Sequence, residues 1–336
     1  MEQKSEFAEE EIVHSTNGLL GFLSGLFRRS QVITLLLILL GLGVYLSIHT
    51  RTFLTSTNIF NILRAFSWIA IAAFGQSMVI IGGGIDLSCG SAMALSGIIT
   101  AMLLSHGMGV FISVLAGLAL GALLGYINGM LISKAKLPAF IATLGMMSIA
   151  RGFCYGLTAG WPIRSLSESF RFLGQKDILI VVWKIPLPVI FMIVLAIVSF
   201  LFLNNTRYGY HIYAVGGNEF SAALAGINIH HTKLLIYIMS GLFAGIGGIL
   251  MTSRLGVAAP TAALGYELDI IAAAVIGGIS LRGGEGVLWG ALIGAAIMQV
   301  LRNGLVLTGF PAYWQPSAIG FVIIIAVMLD QLKKRQ

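Results

Sequence analysis

Ten apolar runs punctuate this chain, at 32–48, 66–82, 87–104, 109–133, 138–158, 185–203, 234–252, 268–281, 286–307 and 315–330, each ended by a polar or glycine-rich break. About 20 apolar residues suffice to carry a helix across the roughly 30 Å hydrocarbon core of a bilayer. A soluble domain could not cover so many such segments. Composition agrees, because 57% of residues are apolar and only 10% are charged, against about 25% charged in ordinary globular domains. The expected fold is an all-α polytopic membrane protein of about ten transmembrane helices. The eighth run is short for a perpendicular span, so a broken or re-entrant helix buried by its neighbours is expected there.

An even number of spans leaves both termini on one face, and the cations indicate which face that is. Lys4, Arg28, Arg29, Lys134, Lys136, Arg207, Lys233, Arg282, Lys333, Lys334 and Arg335 fall on the side of the termini, against Arg51, Arg164, Arg171, Lys176, Lys184 and Arg254 opposite. That bias places both termini in the cytoplasm. The net charge of +7 is thus read by side of membrane, not as a nucleic-acid patch. Residues 1–31 form a cytoplasmic tail with Glu2, Glu6, Glu9, Glu10 and Glu11 and no small-residue cleavage site, so the first run is expected to be a retained anchor. Within the tail, Gly18 to Arg29 either lies along the interface or frays. The membrane domain covers 32–330, and 331–336 form a basic tail.

Glycines fall into register in two runs: Gly117, Gly121, Gly125 and Gly129 in the fourth, and Gly286, Gly290 and Gly294 in the ninth. Four-residue spacing places them on one helix face, where another backbone can approach closely. A faint internal echo pairs Gly83-Gly84-Ile85-Asp86-Leu87-Ser88 with Gly277-Gly278-Ile279-Ser280-Leu281-Arg282, as related halves of a transporter would.

Intramembrane acids are the usual carriers of proton or cation coupling. Only Asp86, Glu267 and Asp269 qualify, and each begins an apolar segment where an acid can cap free N–H groups. Few acids weaken a cation-coupled secondary transporter, the alternative reading. Arg64 and Arg302 lie near run ends and can snorkel, whereas Arg151 is deeper and needs a partner or a substrate. Asn61, Gln76, Asn128, Thr143, Arg151, Gln299 and Asn303 are candidates for lining a translocation path, although interhelical hydrogen bonds are the commoner use of such residues. Cys89 and Cys154 lack metal or redox spacing, and neither disulfide nor metal is expected. Zinc-protease, nucleophile-elbow and phosphate-loop motifs are missing from the sequence, which argues against a membrane-embedded enzyme and against a catalytic site or ATP site on this chain.

One loop, 204–231, is too polar to span. In it Asn218 is placed to cap a short helix from Glu219 to Ala225, stopped by Gly226. Two helical turns are unstable alone in water, so the element must dock on something. Phe220 and Leu224, at i and i+4, give it an apolar edge.

That loop, TRYGYHIYAVGGNEFSAALAGINIHHTK, resembles the cytoplasmic coupling loop of ribose-type monosaccharide permeases of ATP-binding-cassette (ABC) importers. The resemblance extends through FNILR (60–64), GIDLSCGSAMALSG (84–97), LPAFIATLGMMSIARG (137–152), PTAALGYELDIIAAAVIGG (260–278) and GALIGAAIMQVLRNGL (290–305). It implies a multi-pass permease of the bacterial inner membrane that pairs with a second permease chain. A periplasmic sugar-binding protein would deliver a monosaccharide or small polyol, and a cytoplasmic ABC ATPase would hold ATP and Mg. The permease itself would carry no cofactor. Carried over by residue, the coupling segment is Gly216, Gly217, Asn218, Glu219, Ala222, Gly226 and Ile227, with Phe220 and Leu224 as its apolar edge. The sequence departs from the family pattern where Arg282 and Glu285 flank Gly283-Gly284, and at Cys89, where valine is common.

Overall fold

The computed structural model of the protein describes residues 31–180 and 183–333. The expected features of the 1–31 tail, apart from Gln31, lie outside them, as does the end of the basic tail. The elements are α1 (Gln31–His49), α2 (Ser56–Ile81), α3 (Cys89–Ser105), α4 (Val110–Ser133), α5 (Ala139–Thr158), α6 (Glu168–Gln175), β1 (Asp177–Ile180) and β2 (Trp183–Pro186). They continue with α7 (Leu187–Asn205), α8 (Arg207–Gly217), α9 (Glu219–Leu224), α10 (Ile229–Leu255), α11 (Tyr266–Ile276), α12 (Leu288–Leu307) and α13 (Gln315–Lys333).

A helix stands at each of the ten apolar runs. Among the described residues, seven of these helices are long and apolar enough to cross a membrane: α1, α2, α4, α5, α7, α10 and α12. The 17 residues of α3 rise roughly 25 Å, and the 11 of α11 roughly 16 Å, about half a hydrocarbon core. Both are lined by buried residues over most of their length, Cys89 to Ala101 in α3 and Asp269 to Val275 in α11.

The centre of the bundle is α2 against α10, with α3 and α4 on the flank of α10. The glycine face of α4 makes this approach possible. A side chain at Gly121 would strike the Gly241 carbonyl oxygen, and one at Gly125 the Tyr237 carbonyl oxygen. The two backbones therefore touch, and dispersion contact replaces the side-chain layer. Gly290 and Gly294 of α12 do the same against Gly277 and Ala273 of α11. Gly286 does not share that face, because it lies outside α12 in an extended left-handed turn (φ 147°) against Ile279.

Several expectations need correction. The second helix starts at Ser56, ten residues before its apolar run, with Thr55 as N-cap. Its polar first turns obscure it in the sequence, yet Asn58, Asn61 and Arg64 each find a distant partner. Asn58 pairs reciprocally with Asn303 (3.1 and 2.9 Å), Asn61 accepts from Arg254 (3.0 Å), and Arg64 bonds Asp177. Arg64 and Arg302 therefore do not snorkel. Arg302 forms an ion pair with buried Asp269 and lies over the Tyr266 ring, 5.0 Å from its centroid. Arg254 stands in the last turn of α10. The loop after α5 holds α6 and an antiparallel β1–β2 hairpin, with Asp177 opposite Pro186.

Candidate functional site

The segment between α7 and α10 is a helical bracket built almost wholly from local signals. Thr206 caps α8 by accepting from the Gly209 N–H (3.2 Å), Asn218 caps α9 through Ser221 (2.8 Å), and Asn228 caps α10 through His231 (2.9 Å). Gly226, at φ 82°, closes α9, and the Ile227 N–H returns to the Ala222 carbonyl (3.0 Å). Three Asn or Thr caps in 23 positions break one chain into three helices.

The bracket has a bound face and an open face. Ala222 is buried, and Glu219 forms an ion pair with Lys233 of α10. Tyr213 of α8 donates to the Gly286 carbonyl (2.9 Å), and burial pushes its phenol pKa up. Phe220 and Leu224 of α9 are 73% and 75% exposed, and Tyr208 and Tyr210 of α8 are exposed as well. Beneath α9 lies a cavity of 220 Å³ bounded by Gly82 to Gly84, Lys136, Lys233 and Tyr237.

A second cluster fills the break between α2 and α3. Asp86 is 1% exposed; its Oδ1 accepts from the N–H (2.8 Å) and hydroxyl (2.6 Å) of Ser88, and its Oδ2 accepts from the Ser240 hydroxyl (2.8 Å). Gln76, oriented so that both its groups are paired, donates to the Asp86 carbonyl (3.1 Å) and accepts from its N–H (3.2 Å). Asn128 donates to the Ser88 hydroxyl (2.9 Å), and the Thr143 hydroxyl shares its proton between the Ala139 carbonyl of its own helix (2.8 Å) and the Ile85 carbonyl (3.2 Å). The break is thus held by α2, α4, α5 and α10 together. The helix N-cap is Ser88, and Asp86 stands two residues before it, fixing its backbone.

Of the polar candidates, Gln76, Asn128 and Thr143 meet at this break. The others do not. Asn61 lies at the opposite end of α2 against Arg254, Asn303 is bonded to Asn58, and Gln299 is buried within α12. Arg151 forms no ion pair among the described residues; it donates to the carbonyls of Pro260 (2.7 Å) and Ala262 (2.8 Å), pinning the segment before α11. Glu267 and Asp269 occupy the first turn of α11. Ser88, Ser240, Lys233 and Tyr213 escaped the sequence reading, since ordinary polar residues on distant helices carry no local signature.

Apolar helices long enough to span a bilayer, packed around a buried polar break and joined by a capped helical bracket, mark a multi-pass membrane protein. Residues 58–328 match the family described as branched-chain amino acid transport system / permease component. The chain is 41% identical over 303 residues to the ribose import permease protein RbsC of Escherichia coli (strain K12), covering 89% of this chain and 93% of that one. It is 42% identical over 294 residues to RbsC of Bacillus subtilis (strain 168), covering 87% and 90%. Against the D-allose transport system permease protein AlsC of Escherichia coli (strain K12) the identity is 36% over 291 residues, covering 86% and 88%. The chain belongs to this family of importer permeases. No solved structure matches it.

Proposed function

We propose that the chain is the membrane subunit through which an ATP-driven importer moves a monosaccharide or related small polyol into the cytoplasm. Its relatives import ribose and D-allose. The working unit pairs two permease chains in the bacterial inner membrane, with both termini cytoplasmic. A periplasmic sugar-binding protein supplies the solute and a cytoplasmic ABC ATPase, holding ATP and Mg, drives the cycle. The polar groups at the α2–α3 break, with Asn61, Arg151, Gln299 and Asn303, are candidates for weak sugar contacts.

The observation that carries the reading is the bracket. A six-residue helix is far too short to be stable alone, yet α9 is capped, tied by Glu219 to Lys233, and turns Phe220 and Leu224 outward. An apolar pair held rigid and exposed suits a groove on a partner protein. The membrane acids support the same reading over cation coupling, because Asp86 and Asp269 already bond serine or arginine partners.

Replacing Phe220 and Leu224 together by aspartate tests it. Anchors of this kind are worth about 2 kcal/mol or more each, roughly thirtyfold in affinity. The double variant should insert normally, lose co-purifying ATPase or uncouple hydrolysis from uptake in proteoliposomes. Association, hydrolysis and uptake at wild-type levels would refute the docking role.

A further inference from the structure

Five glycines from three separate parts of the chain converge where α8 ends. The α2 helix closes in a left-handed turn at Gly83 (φ 79°), with Gly83 N–H to Ile80 carbonyl (2.9 Å) and Gly84 N–H to Val79 carbonyl (2.9 Å). The α11 helix closes identically at Gly278 (φ 89°), with Gly278 N–H to Val275 carbonyl (2.9 Å) and Ile279 N–H to Ala274 carbonyl (3.0 Å). The internal echo is therefore a repeated helix stop, displaced by one residue from the register that the sequence identities give. The chain after the second stop then folds back, and the Gly284 N–H donates to the Ile81 carbonyl (2.8 Å), joining the two stops.

Gly216 and Gly217 are set into that junction. A methyl group on Gly216 would overlap the Ile81 carbonyl oxygen and lie 2.7 Å from the Gly284 nitrogen. One on Gly283 would lie 2.6 Å from the Gly216 oxygen and 2.9 Å from the Gly83 Cα, and one on Gly284 2.6 Å from the Gly217 Cα. Backbone meets backbone on every side, so no side chain can yield by changing rotamer. Motion of α8 must be passed on, since close-packed backbones transmit displacement where flexible side chains absorb it.

We propose that Gly216, Gly283 and Gly284 are positioning residues forming a backbone clasp, through which one displacement of α8 and α9 moves two helix breaks at once. One break is the polar entrance to α3 that holds Asp86; the other is the turn ahead of α12. The clasp rests on the assignment of α9 as the ATPase dock, and extends it by naming what the dock pulls. Two breaks moved by one lever open and close together.

The test uses the whole transporter, with its ATPase and binding protein, in proteoliposomes. Gly216→Ala should keep the ATPase bound and hydrolysing while sugar moved per ATP falls at least tenfold. Gly145→Ala, a methyl added where nothing lies within 4 Å, should leave that ratio unchanged. A wild-type ratio in Gly216→Ala would overturn the clasp and leave the docking reading standing; loss of ATPase binding would also overturn it, because the clasp acts after docking. Should Gly216→Ala not fold, amide exchange on the wild-type complex decides. Peptides covering 82–88 and 280–286 must change protection together between nucleotide-free and ATP-bound states. A response in one alone, or in neither, rejects the clasp.

Discussion

Asp86 is a buried carboxylate with both oxygens engaged by hydrogen-bond donors. Its oxygens accept from Ser88 and Ser240, and an asparagine oxygen can replace one of them while its amide meets the Ser240 hydroxyl as acceptor. Asp86→Asn should keep substantial uptake, whereas Asp86→Leu strands both serine hydroxyls at about 1–3 kcal/mol each and should abolish transport. Uptake in vesicles, with assembly checked in parallel, separates these; collapse of the asparagine variant would show a need for charge. Arg302 offers the opposite case. Its partner Asp269 is 2% exposed at the side chain, so Arg302→Met leaves a buried charge unpaired and should cost about 3 kcal/mol or more. Asp269→Leu combined with Arg302→Met should recover most of that loss in a detergent melt. Asp269 falls in the first turn of its helix and Asp86 just ahead of one, but Arg302 stands 33 residues from Asp269 and Ser240 stands 154 from Asp86. No local pattern links residues so distant.

At the scale of elements, legibility followed the kind of signal. The α9 helix was readable because its stop and start are written in Asn218 and Gly226. The α8 helix was not, since Arg207-Tyr-Gly-Tyr-His mixes polar and aromatic residues around a glycine and shows no apolar period. That glycine has a packing reason, as a methyl group on Gly209 would overlap the Leu203 carbonyl oxygen. The α4 glycines were legible as a packing face, though not their partner, which is α10 of the same chain. Gly121→Val would drive a branched side chain into the Gly241 carbonyl and push α4 away from α10. The expected result is a loss of folded protein of several kcal/mol, seen as a fall in melting temperature and in membrane yield. Wild-type stability in that variant would mean the helices are less tightly apposed than the glycine contacts require.

For the whole molecule, the proposal of paired permease chains predicts two membrane subunits in every working transporter. Native mass spectrometry of the purified complex should count two, either identical or related; a fully active particle with one would refute the pairing. The α4 and α12 glycine faces are already filled within this chain, so a second copy must meet other surfaces. The bundle also divides its helices by what surrounds them. Over the most apolar 18 residues of each helix, 89% are buried in α2, against 11% in α1 and 28% in both α4 and α5. Lipid therefore gauges the protein through its outer helices, of 18–24 residues, while the short α3 and α11 are shielded inside. Membrane thickness can vary at a cost of fractions of a kcal/mol per Å at the rim, and the inner breaks can shift without the bilayer having to follow.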